Sequence, residues 1–220
     1  MTLRAVFFDL DGTLLDTAHD LAAALNHILA EDGLPPLAID IARQIVSEGA
    51  YALVKKGYGL GENDARSEPL RQRLLDYYGH NLNKHTVAFE GINTLIQHLS
   101  DNNIAWGVAT NKPKPYAEPL MKAFRFASEP CCVLSPEHVQ HKKPHPESLF
   151  LACKLAQCEI SEAIYIGDHK RDIDCGINAG MTTIAVSYGY IPDGVDIRSW
   201  NADHYAHTAN ELWPIIKGYL

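Results

Sequence analysis

No apolar run in this chain approaches the roughly 20 residues needed to cross a bilayer, and the N-terminal MTLRAVFFDLDG turns acidic before a signal-peptide core could form. A soluble cytoplasmic protein is expected, with no membrane partner. Positive charge is also scarce: 19 Lys and Arg against 27 Asp and Glu leave a net charge of -8, which argues against a nucleic-acid footprint and favours a small-molecule substrate. The five cysteines are odd in number and form no CxxC pair, so reduced thiols are expected rather than a disulfide framework. Of the 11 histidines, only His141 and His145 stand at a ligand-like spacing. With no further His or Cys beside them, no zinc site is expected there. No GxxxxGK occurs, and GYGLGE at Gly57 misses GxGxxG and follows a helical pattern, so it reads as a turn. Internal repeats and low-complexity segments are absent too.

What the chain does have is an ordinary globular composition, 46% hydrophobic and 21% charged over 220 residues, enough for one domain with a large insertion or two modest domains. Residues 4–10 read as an apolar strand. The pattern then changes: Asp16 or Thr17 can cap a helix whose apolar face holds Leu21, Leu25, Ile28 and Leu29, and Gly33 with Pro35 and Pro36 ends it. Spacings of three and four continue through LAIDIARQIVSEGAYALVKKGYG and DARSEPLRQRLLDYYGHNLN, so residues 16–83 read as an all-helical insertion. From residue 84 strands alternate with helices, the strands being IAWGVATN, CCVLS, AIYIGD and TTIAVS. Nearly continuous apolar strands in that alternation predict a parallel sheet covered on both faces, formed by residues 1–15 and 84–220. A site in such a sheet lies at the carboxyl ends of its strands.

Those ends carry the unusual residues. RAVFFDLDGTLLDT places Asp9 and Asp11 beside Gly12 and Thr13 after the first strand; Thr110 and Asn111 follow WGVA; Lys143 lies in HKKPHP; Asp168 and Asp172 lie in IGDHKRD. Any one of these would pass for a helix cap or a turn. Burying like charges together is costly unless a cation sits among them. Two carboxylates joined by a third from another strand make a hard-oxygen site suited to Mg²⁺. A hydroxyl at Thr110 and an ammonium at Lys143 are then the groups a phosphoryl ligand needs, one donating a hydrogen bond and the other neutralising charge. The other lysines of these loops, Lys112, Lys114 and Lys142, are expected to be solvated.

The four segments, DLDGT, Thr110, Lys143 and GDHKRD in that order, resemble the four motifs of the haloacid dehalogenase superfamily over essentially the whole chain. The resemblance implies a Rossmann-like α/β core with an inserted helical cap. It implies Asp9 as nucleophile, Asp11 as general acid/base, and an Mg²⁺ held by Asp9, the Asp11 backbone carbonyl and Asp168, with Asp172 beside it or as an alternative ligand. Thr110, Asn111 and Lys143 would bind the phosphate. The second aspartate is absent from dehalogenase members, so hydrolysis of a small phosphomonoester is the implied reaction. The substrates implied are 2-phosphoglycolate and N-acetylmuramic acid 6-phosphate. A sugar phosphomutase shares every motif, and a receiver-like module would share an aspartate, Thr and Lys, though not the cap or Asp11. Both candidate substrates carry a carboxylate, and the backbone N–H groups of SEGA, at Ser47, Glu48 and Gly49, are the expected anion site in the cap. The negative Glu48 would oppose that unless it faces away.

Overall fold

The computed structural model describes residues 2–220. The chain begins with β1 (Ala5–Phe8), every residue of which is buried. The strand alternates faces, so Val6 and Phe8 pack into one apolar layer and Ala5 and Phe7 into another. It continues into a short strand pair, where β2 (Leu15–Asp16) runs antiparallel to β3 (Val87–Ala88). Everything between these two strands is helical: α1 (Ala18–Glu31), α2 (Ile39–Ile45), α3 (Ala50–Tyr58) and α4 (Ser67–His80). Leu21, Leu25, Ile28 and Leu29 of α1 meet Leu53 and Val54 of α3 and Leu70, Leu74 and Tyr78 of α4 in a core of their own. Leu25 and Ile28 are 0% and 1% exposed, and burying each contributes about 2 kcal/mol.

The rest of the chain alternates. It runs α5 (Ile92–Asp101), β4 (Ala105–Ala109), α6 (Lys114–Ala123), β5 (Val133–Leu134), α7 (Glu147–Ala156), β6 (Ala163–Gly167), α8 (Lys170–Ala179), β7 (Thr182–Val186), β8 (His204–Ala206) and α9 (Leu212–Lys217). The six-stranded sheet has the order β5-β4-β1-β6-β7-β8, and all its pairings are parallel. α5, α6 and α9 supply Leu95, Leu99, Leu120 and Leu212 to one face, and α7 and α8 supply Leu149, Cys153 and Cys175 to the other. With both faces covered, only the strand ends are open to a ligand.

Three features depart from the sequence reading. The strand expected over residues 4–10 stops at Phe8, and CCVLS contributes only Val133–Leu134. β8 and α9 were not anticipated, because three residues of strand and six of helix are too short for a periodicity to register. The continuous helical pattern after Leu37 is broken by a single 3₁₀ turn, Val46–Glu48, and by Gly49 at φ 84°, a left-handed value that glycine adopts without steric cost.

The start of α1 also differs. Thr17 stands at the N-cap as expected, but its side chain makes no capping hydrogen bond, and Asp16 Oδ1 accepts only a long one from Ala18 N at 3.4 Å. Instead the Tyr190 hydroxyl, from beyond β7, accepts from Thr17 N at 2.6 Å and Ala18 N at 2.9 Å. Asp16 is bound bidentately by Arg43, at 2.9 and 2.7 Å. A core residue thus closes the first turn of the helical insertion, satisfying donors that a helix start leaves unpaired.

Candidate active site

The backbone of Asp9 still belongs to the sheet, donating from its N–H to the Ile166 carbonyl at 2.9 Å. Its Oδ1 accepts from Leu10 N at 2.7 Å and lies 2.9 Å from Lys143 Nζ. The chain turns sharply after it, so Asp9 and Asp11 take different partners. Asp11 Oδ1 accepts from Thr17 Oγ1 at 2.5 Å and from Lys112 Nζ at 2.8 Å. Gly12 makes the turn at φ 84°, and a Cβ there would stand 2.1 Å from Asp168 Oδ2. Only glycine lets the first loop approach the fourth so closely.

Asp168 is 1% exposed. Its carboxylate accepts from Thr13 Oγ1 at 2.8 Å and Tyr190 N at 2.8 Å. Burial, followed by the charges of Asp172 and Asp9, pushes its pKa up to about 8. Asp172, 0% exposed, is likewise raised by burial and by Asp9. It accepts from His169 N at 3.1 Å and pairs with Lys143 Nζ at 2.7 Å. Lys143 therefore lies between Asp9 and Asp172, and donates to the Tyr165 hydroxyl at 2.8 Å. Burial works against its charge, but Asp172 and Asp9 overcome it and hold the ammonium above the ordinary lysine value.

Asp9, Asp168 and Asp172 each offer a carboxylate oxygen, all within 4.8 Å of one another. Two buried carboxyls and the partly buried Asp9 against one lysine leave an excess of negative charge. The raised pKa of Asp168 is the sign of it, and a hard divalent cation fits such an oxygen set. Each of the three already has two partners: Leu10 N and Lys143 for Asp9, Thr13 and Tyr190 N for Asp168, Lys143 and His169 N for Asp172.

The remaining expected residues fall around this cluster. Thr110 is buried, and its Oγ1 accepts from Lys112 N at 3.1 Å, leaving the hydroxyl hydrogen available. Asn111 lines the same cavity, yet both ends of its amide are spent on the Lys143 backbone, Nδ2 to O at 3.1 Å and Oδ1 from N at 3.2 Å. It fixes the lysine loop rather than offering a free donor. Lys112 corrects the sequence reading. It is buried rather than solvated, ion-paired with Asp11, and 4.8 Å from the centroid of the Tyr78 ring. Burial opposes its charge, while Asp11 and Tyr78 raise it above the usual lysine value. No local pattern distinguishes it from Lys114, because α4 of the helical insertion provides the cover.

A cavity of about 490 Å³ opens over Asp9 and Asp11, walled on the other side by the helical insertion. Ser47, Glu48 and Gly49 line it, and one of the three backbone donors is already spent. The Gly49 N–H donates to the Val46 carbonyl at 2.9 Å. Glu48 turns to the core, 2.9 Å from His169 Nε2 and 3.1 Å from Arg171 Nη2. Sequence reasoning missed Tyr51, Arg71, Tyr78, Tyr116 and Arg171, which also line the cavity. Away from the cavity, Glu147 joins His141 and His145 in an exposed group, and its carboxylate accepts from the N–H groups of Gln140 and His141 at 2.8 and 3.0 Å.

A sequence model of the family described as haloacid dehalogenase-like hydrolase matches residues 6–186, from β1 through β7. The chain belongs to the haloacid dehalogenase-like hydrolases. Within that family it is 39% identical over 220 residues to N-acetylmuramic acid 6-phosphate phosphatase of Pseudomonas putida, covering 100% of this chain and 99% of the relative. It is 33% identical over 210 residues to a phosphoglycolate phosphatase of Xanthomonas campestris, covering 96% and 95%. The crystal structure of "a predicted phosphoglycolate phosphatase" from Haemophilus somnus superposes with a TM-score of 0.83 at 22% identity, over 98% of this chain and 99% of that one; it shares the fold. Family membership and end-to-end phosphatase relatives make this haloacid dehalogenase-like hydrolase a phosphoric monoester hydrolase. No helix among the described residues is long and apolar enough to cross a membrane.

Proposed function

We propose that the enzyme hydrolyses a carboxylated sugar phosphate, N-acetylmuramic acid 6-phosphate, through an aspartyl-phosphate on Asp9 with Mg²⁺ bound. The observation that carries the reaction is the trio of Asp9, Asp168 and Asp172, gathered within 4.8 Å around the buried Lys143 at the strand ends. The substrate assignment draws on end-to-end similarity to the Pseudomonas putida phosphatase and on the cavity. About 490 Å³ walled by Tyr51, Tyr78 and Tyr116 is within the range of roughly 300–1,000 Å³ that encloses a ring-sized ligand. Phosphoglycolate would leave most of it to water, and the faces of a pyranose suit the tyrosine wall.

In the first step the Asp9 oxygen not bound by Leu10 N attacks phosphorus. The bond from phosphorus to the sugar oxygen breaks, and that oxygen takes a proton from Asp11. Lys143 and the Thr110 hydroxyl face the phosphoryl oxygens with charge and a hydrogen bond. In the second step a water attacks the aspartyl-phosphate, gives its proton to Asp11, and releases inorganic phosphate and free Asp9. The contacts of Asp11 with Thr17 and Lys112 suit this second step, because both hold its carboxylate as an acceptor. A bound Mg²⁺, held by Asp9 and Asp168, supplies neutralisation of the phosphoryl charge. Helices α1–α4 act as the cap that keeps bulk water out.

The test is a substrate panel of N-acetylmuramic acid 6-phosphate, N-acetylglucosamine 6-phosphate, 2-phosphoglycolate and simple sugar phosphates, followed by phosphate release. The highest kcat/KM is expected for the first. A higher value for phosphoglycolate overturns the sugar assignment. Conversion of a sugar phosphate to its isomer without free phosphate overturns hydrolysis in favour of a mutase.

A further inference from the structure

The carboxylate of the substrate needs a partner, and in the Ser47–Gly49 backbone the Gly49 N–H is already spent on the Val46 carbonyl. The cations lining the cavity are Arg71, Lys112, Lys142 and Arg171, with His169 beside them. Lys112 is committed to Asp11. Arg171 is held by Glu48 and by His169, with Nε 3.0 Å from His169 Nδ1. Lys142 is exposed and is carried by the core loop of Lys143, not by the helical wall.

Arg71 differs from all three. It is carried by α4, on the helical wall. Its guanidinium stands 5.7 Å from the centroid of the Tyr51 ring, which also lines the cavity. Among the described residues only its Nη1 is engaged, donating to Glu68 Oε1 at 2.9 Å, which leaves most of the five N–H donors of the fork without a partner there. Glu68 is 58% exposed in that pair, and an ion pair so open to water gives way readily to a ligand anion. A planar guanidinium fork over an aromatic ring can bind a carboxylate bidentately, which a lysine does not do.

We propose that Arg71 is the specificity residue of the cavity, binding a carboxylate on the organic half of the substrate while the aspartate cluster holds the phosphate. This rests on the phosphatase reading above but not on the identity of the sugar. Glu48, which lines the same cavity, has its charge paired with Arg171. Glu68 does compete, and occupies Arg71 when no substrate is present.

The experiment compares matched pairs, one member with the carboxylate and one without: N-acetylmuramic acid 6-phosphate with N-acetylglucosamine 6-phosphate, and 2-phosphoglycolate with 2-hydroxyethyl phosphate. Arg71→Met is expected to lower kcat/KM about 10- to 100-fold for the carboxylated member, mainly through KM, and only about two-fold for its counterpart, the range set by loss of charged hydrogen bonds. Arg71→Lys keeps the charge, loses the fork, and should fall between. Glu68→Gln removes the competing anion and should lower KM for the carboxylated member alone. Equal losses for both members, or a parent enzyme with no preference for the carboxylated members, overturns the proposal. A parent that prefers phosphoglycolate over both sugars, with that preference lost in Arg71→Met, overturns the sugar assignment and leaves Arg71 standing.

Discussion

At the sheet edge Asp168, Asp172 and Lys143 are 1%, 0% and 3% exposed, whereas on the helical wall of the same cavity the Arg71 and Glu68 side chains are 30% and 58% exposed. The first group is crowded with like charge and held in place from several strands. The second is a loose pair on one helix, open to water. Charges at the edge interact strongly because water is excluded, and each depends on its neighbours. Charges on the wall are screened and exchangeable. Chemistry that must be the same for every phosphomonoester belongs at the first place, and choice among substrates at the second.

The sharpest way to break this comparison is Asp9→Asn. An amide of the same shape is a poor nucleophile and a weak metal ligand, so turnover should fall by at least about 10⁴-fold with the fold intact. Phosphate release within tenfold of the parent, roughly 1.4 kcal/mol of barrier, would remove Asp9 from the role of nucleophile. Asp11→Asn comes next, at roughly 10² to 10⁴ in rate. Single-turnover transfer from an aryl phosphate should suffer less than from an alkyl phosphate, because the aryl leaving group needs no proton. Equal losses would contradict the acid assignment.

A pH series on metal-free protein sharpens the same contrast. A carboxyl whose folded pKa is raised binds its proton more tightly when folded than when unfolded. Asp168, raised from 3.8 to about 8, therefore favours the folded state at low pH, and that contribution is lost progressively as pH rises from its unfolded value to its folded one. Added Mg²⁺ should restore stability by compensating the carboxylates, and should raise the melting temperature more at pH 8 than at pH 5, readable by calorimetry with and without chelator. A Tm gain that is the same at both values would show that the cluster does not hold the ion. The smallest effect is expected for Glu48→Gln. Its bonds to His169 and Arg171 are exposed on the Glu48 side, so the change in unfolding free energy should stay below about 1 kcal/mol. A loss of several kcal/mol by denaturant titration would place Glu48 with the buried charges and blur the division.

Much of the edge was legible before any coordinates. Asp9, Asp11, Thr110 and Asp168 are polar residues at the ends of apolar strands, Lys143 lies in the loop that follows β5, and a parallel sheet sends all such positions to one side. The helical insertion was legible from spacing, since Leu21, Leu25, Ile28 and Leu29 recur at the period of one helix face. Lys112 was misread because its neighbours in sequence are ordinary loop residues. Its burial comes from Tyr78, more than 30 positions earlier on α4, together with Asp11. Tyr190 escaped notice for the same reason: its hydroxyl closes the first turn of α1 from the far end of the chain.

The helical insertion, the alternation of strand and helix and the polar residues at the strand ends follow from local pattern, because periodicity and strand-end polarity are properties of short segments. Which lysine pairs with which aspartate, which N–H groups of the 47–49 turn are spent, and where Arg71 stands relative to Tyr51 were decided only in three dimensions. Those contacts join residues whose distance along the chain carries no signal, and a side chain is buried or exposed according to what another element brings to cover it.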